Sequence, residues 1–229
     1  MPELVDTLRT LSTAFCARLE RHSGFAELLR GGLSRESYVN GFLVDSFHDV
    51  LGTPDCLRSA ARVLRHHGGA WAQELARAMD RKAQEESIDA GRGHEYWALA
   101  DIQALTDLSE TEVRARRPSA GALAYNDFLH ESARHFPIAI LGIAYPREYM
   151  AMRLAPRAAT ALVGRARIPA IEQAVQFLRG HGEADVGHVS AADRVLSAIT
   201  DPGDQALIVM GARVSIETYL SKGVDGQWA

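Results

Sequence analysis

The chain has 229 residues, 47% of them hydrophobic and 24% charged, which is enough apolar material for one sizeable core and makes a single domain over residues 1–229 the expectation. A formal net charge of −4, with arginines scattered among acids, gives nucleic acid and anionic membranes no general attraction. Two cysteines, Cys16 and Cys56, are too few for a disulfide framework or a thiolate zinc site; with no secretory pattern in MPELVDTLRT and no apolar run of membrane-spanning length, a cytoplasmic protein is expected.

In chain order, the dominant period is helical. Leu4, Leu8, Leu11, Phe15 and Leu19 recur at steps of three and four, one stripe of a first helix. LSRESYVNGFLVDSFHDVLG predicts a second long helix, opened by Ser34 as N-cap and ended before Gly52 and Pro54. TPDCLRSAARVLRHHGG and AWAQELARAMDRKAQEE predict two more, separated at Gly68 and Gly69, and GHEYWALADIQALTDLS predicts a fifth. After a loop at RARRPSA come GALAYNDFLHESARHF and FPIAILGIAYPREYMAMRLA, the latter holding Pro146, which should kink the helix or remove one backbone hydrogen bond. The stretches IPAIEQAVQFLRGHGEADVGHVSAADRVLSAI and DPGDQALIVMGARVSIETYLSKG are helical by the same test. No segment alternates as a strand must, so the fold class expected is all-α, a bundle of seven to ten helices.

One segment of this bundle carries unusual chemistry. HGEADVGH places His181, Asp185 and His188 within about 60° on one helical face, so their side chains converge. Imidazole and carboxylate without thiolate suit iron or manganese better than structural zinc. Gly180, Gly182 and Gly187 weaken the same helix by about 1 kcal/mol each relative to alanine, and bound metal is expected to supply part of its order. Upstream, Glu85 and Glu86 end one helix, Gly91 and Gly93 loosen the chain, and His94 opens the next; acids and an imidazole there can face the first set across a bundle core. Glu148 stands in an apolar helix between Ile143, Tyr145 and Met150, where a lone acid requires a cation, either an arginine or a metal.

The order of an acid, His94 in GHEYWALADIQAL, Glu148 in AYPRE, then His181, Asp185 and His188 resembles the haem-oxygenase-like di-iron oxidases and oxygenases, the iron-containing redox enzymes. FAELLRGGLSRESYVNGFLVDSFHDV is similar to the entry helices shared by haem oxygenases, thiaminase-II-like proteins and the di-iron group. The resemblance implies a haem-oxygenase-like bundle of about seven core helices. It further implies two Fe(II) ions held by His94, by Glu148 from the middle helix, by His181, Asp185 and His188 from the last core helix, and by one further acid. Relatives place that acid one or two turns before the histidine, whereas SIDAGRG intervenes here. Glu86 is the first choice, since eight helical residues leave it about 80° from His94; Glu85 points away and Asp89 competes.

Dioxygen as co-substrate and a small organic substrate (amino acid, amine or fatty acid) in a biosynthetic pathway are what the resemblance implies. Arg147 is the residue nominated to anchor a substrate carboxylate, with Tyr145 lining the pocket. The competing readings are a metal-independent enzyme of the thiaminase-II or quinone-biosynthesis kind, and a non-catalytic helical binding protein. A nucleophilic cysteine is missing from AILGIAYPREYM, which disfavours the first; His22 is positioned as a proximal haem ligand would be, but no glycine-rich distal helix accompanies it and it reads as a surface or helix-terminal histidine. Pairing with a second copy is left open.

Overall fold

A computed structural model describes residues 4–66, 70–88 and 93–224. Within them the chain forms ten α-helices and no strand. They are α1 (Leu4–Leu19), α2 (Ser23–Arg30), α3 (Val44–His66), α4 (Ala70–Ile88), α5 (Glu95–Leu105), α6 (Glu110–Ala115), α7 (Ala120–His135), α8 (Ala139–Arg165), α9 (Gln176–Ser197) and α10 (Pro202–Thr218). A π-helical turn, Ser37–Leu43, leads into α3, and another, Tyr219–Val224, follows α10.

Several helix starts are set by short polar side chains that accept the first unpaired N–H groups. Ser34 Oγ accepts the Ser37 N–H at 3.0 Å, as its position in the sequence predicts. Asp201 caps α10, and Ser109 with Glu112 forms a reciprocal capping box on α6, a helix that overlaps the predicted loop. A further departure is α2, closed by Gly31 in the left-handed conformation at φ 70°.

The expected break at Gly52 and Pro54 does not occur: α3 runs through both. Val50, Leu57, Ala60, Ala61 and Leu64 continue one buried stripe across the proline, and that packing outweighs the missing N–H. The same holds for α8, which passes through Pro146 and Pro156.

α8 is the centre of the bundle, packed against α1, α2, α7, α9 and α10, while α3 packs on α4, α5 and α7. The core falls into two clusters. One gathers Phe15, Tyr38, Leu43, Phe47, Ile102 and Leu162; the other gathers Leu8, Leu64, Ile143, Tyr145, Leu196 and Ile208. Each fully buried large apolar side chain contributes about 1.5–3 kcal/mol by leaving water. Among the described residues no helix is long and apolar enough to cross a membrane.

Candidate metal centre

His181, Asp185 and His188 lie on α9, and their helix is anchored from outside. Asp101, fully buried on α5, accepts the N–H groups of Gln176 and Phe177 at 2.9 Å each, taking the place of a local N-cap. Burial pushes the Asp101 carboxyl up to about 7, against the pull of those two N–H donors and of Arg179. One turn on, the Phe177 carbonyl lies 3.1 Å from His181 Nδ1. A carbonyl only accepts, so Nδ1 carries the proton and Nε2 keeps its lone pair for a ligand. His188 Nδ1 likewise donates to Asp185 Oδ1 at 2.8 Å.

Two glycines counted in the sequence as weakening α9 have a packing role. A Cβ at Gly180 would lie 2.6 Å from the Trp97 ring, and one at Gly182 would lie 2.8 Å from Pro156. Trp97 fills the slot so opened. It stacks on His94 at 4.2 Å between centroids and meets His181 edge-on at 5.2 Å, which holds both imidazoles.

From α8, Glu148 reaches the same point. Ligand atoms of Glu148, Asp185 and His188 lie within 4.8 Å of one another, close to the about 4.2 Å available to two donors each about 2.1 Å from one ion. Asp185 is 3% exposed. Burial raises its carboxyl, opposed by the His188 hydrogen bond and reinforced by Glu148.

Glu86 lies on α4 and His94 just ahead of α5, so the angle expected along one continuous helix does not apply. The His94 N–H donates to the Glu86 carbonyl, and His94 Nδ1 lies 2.8 Å from Glu86 Oε2. Glu86 is buried and Glu85 exposed; Asp89 lies outside the described residues. Burial alone would raise Glu86, but His94 and Lys82 together bring its carboxyl down to about 2. The His94 ring stands 5.1 Å from that of His181 and 6.3 Å from that of His188. Burial, then the neighbouring His94, lowers His181 to about 4, so its imidazole is neutral at physiological pH.

Lys82, absent from the sequence reading, lies 2.6 Å from Glu148 Oε1 and 3.5 Å from Glu86 Oε1. Its signal was present in the sequence, four residues before Glu86 on one helical face. Asp101 was equally visible, as an acid inside the apolar stripe WALADIQAL.

Glu86, Glu148, His181 and Asp185 border a cavity of about 170 Å³ whose other walls are largely apolar, including Phe42, Leu57, Ile143 and Leu154. Arg147 also lines it, ion-paired with Asp49 of α3 and lying over the rings of Tyr125 and Tyr219 at 4.9 and 5.4 Å. Asp49 engages Arg147 Nη2, while Nε has no hydrogen-bond partner, so the guanidinium retains donor capacity. Tyr145 is not among the residues lining the cavity: its hydroxyl donates to Asp193 at 2.7 Å in the second core cluster. Cys56 borders the cavity, but its thiol points to the Leu129 carbonyl at 3.5 Å and burial raises it to about 12, which makes it a poor nucleophile.

Residues 40–220 match the family model described as iron-containing redox enzyme. Among solved structures, a domain of unknown function with a haem-oxygenase-like fold from Shewanella denitrificans superposes with a TM-score of 0.82 at 17% identity, covering 100% of this chain and 93% of that one. A TenA homologue from Pseudomonas syringae pv. tomato gives a TM-score of 0.72 at 11% identity, covering 96% and 92%. A CADD-like protein of unknown function from Nostoc punctiforme gives 0.61 at 14% identity, covering 95% and 93%. The fold is therefore haem-oxygenase-like. A search of the curated proteins finds no match.

Proposed function

This chain belongs to the iron-containing redox enzymes, and from that premise we propose that it is a non-haem di-iron oxidase or oxygenase acting on a small organic substrate with dioxygen. The observation that carries the reading is the convergence of Glu148, Asp185 and His188 from two neighbouring helices on one point at a cavity wall.

The donor set fits iron. It combines imidazoles, two of them, His181 and His188, with Nδ1 committed to a protein acceptor, and carboxylates, with no thiolate among them. Glu148, Asp185 and His188 would hold one ion, and Glu86, His94 and His181 would serve a second. Ferrous iron, when bound, supplies the electrons that dioxygen needs and that no side chain here can give.

The rest is the work of the chain's own residues. Phe177 and Asp185 hold the imidazole tautomers, Trp97 fixes the ring planes, and the apolar walls exclude water from the reacting region. Arg147, already oriented by Asp49 and two aromatic rings, is placed to anchor a substrate carboxylate in the same cavity. This favours a carboxylated substrate with an apolar body over a simple amine.

The test is anaerobic loading with Fe(II), then exposure to oxygen with panels of fatty acids, amino acids and amines, following oxygen uptake. Substrate-dependent uptake, strongest with carboxylates, is the expected result; a metal-independent enzyme would show none.

A further inference from the structure

Lys82 occupies the space between two carboxylates that the metal reading assigns to ligands. Its Nζ is 2.6 Å from Glu148 Oε1 and 3.5 Å from Glu86 Oε1, and Lys82 itself borders the cavity. A metal ion bound to the same oxygens would stand about 2.0–2.2 Å from them. Ammonium and ion cannot share that position. The placement is built into the helix, because Lys82 and Glu86 are one turn apart on α4 and so face the same way.

We propose that Lys82 is an internal cationic occupant of the position between Glu86 and Glu148, which a second metal ion must displace. Resting on the metal-centre reading, this makes the two positions unequal. The trio of Glu148, Asp185 and His188 needs only one oxygen of Glu148, leaving the other with Lys82, and it fills first. The position that draws on Glu86 fills second and more weakly, since the ion must move a cation and then remain beside it. In the metal-free protein the same ammonium offsets the charge of carboxylates that would otherwise repel one another across the cavity.

The experiment is a titration of metal-free wild type, K82M, K82Q and K82R with Mn(II), reading free ion by its magnetic resonance signal and bound ion by calorimetry. No turnover is involved. Wild type should bind one ion tightly and a second about tenfold or more weaker, and K82R should behave alike because it keeps the charge. K82M should narrow the gap by about tenfold or more, and K82Q, which keeps a polar end group, reports the same loss of charge if K82M does not fold. Two equal affinities in wild type, or an unchanged gap in the uncharged variants, overturns the role of Lys82 while leaving the metal centre standing. Failure of every protein to bind Mn(II) removes the metal centre itself, and this proposal with it.

Discussion

Asp101 on α5 accepts the Phe177 N–H at 2.9 Å, and the Phe177 carbonyl in turn accepts the Nδ1 proton of His181. One buried carboxylate thus fixes the start of α9 and, through a single residue, the direction in which His181 presents Nε2. Burial holds Asp101 near 7 against an ordinary 3.8. Between those values the folded state keeps a proton that the unfolded chain has lost, so this residue's contribution is full below about 3.8 and declines until about 7. Urea unfolding of wild type and D101N across this range should show wild type losing stability relative to the variant as pH rises, with a flat difference above it. A constant difference throughout would contradict the shifted carboxyl.

Gly180→Ala separates helix propensity from packing. In an isolated helix alanine would gain about 1 kcal/mol, but here the added carbon meets the Trp97 ring at 2.6 Å. A net loss of about 1–3 kcal/mol is expected in chemical unfolding. Because Trp97 braces His94 and His181, metal affinity should fall by about tenfold without any ligand having been touched.

Arg147→Lys keeps the charge and loses the planar fork. KM for a carboxylated substrate should rise by about tenfold or more in oxygen-uptake assays, while iron content after reconstitution stays at the wild-type level. Equal KM values would remove Arg147 as the anchor.

Cys56→Ala tests the thiol route. With the thiol raised to about 12, its removal should leave iron content and oxygen uptake unchanged and cost only packing. Loss of activity with normal iron content would point to thiol chemistry instead.

The all-helical architecture was legible because stripes such as Leu4, Leu8, Phe15 and Leu19 are buried as their spacing requires. Boundaries read from punctuation were not: Gly52 and Pro54 look like a stop, yet the buried stripe of α3 continues past them. That His181, Asp185 and His188 share one helix followed from helical geometry alone; the tighter trio of Glu148, Asp185 and His188 draws on a second helix, and His181 stands instead beside His94 and Trp97. Tyr145 did not follow, and the same geometry explains why: two residues apart on α8, Tyr145 and Arg147 are about 200° apart, so a cavity that takes one excludes the other. The meeting of Glu86 with His94 is between two different helices, which the periodicity of either one does not describe. Lys82 reads in the sequence as an ordinary helical partner of Glu86 one turn on, and only the fold brings Glu148 to it.

On the reading proposed above, acids and imidazoles from α4, α8, α9 and the start of α5 form a metal centre. Anaerobic reconstitution with Fe(II), removal of loose metal and iron quantification test it in wild type and in the double variant E148A/H188A. Iron should be retained by wild type and lost from the folded double variant. Wild type that retains no iron, or a double variant that retains as much, would contradict it.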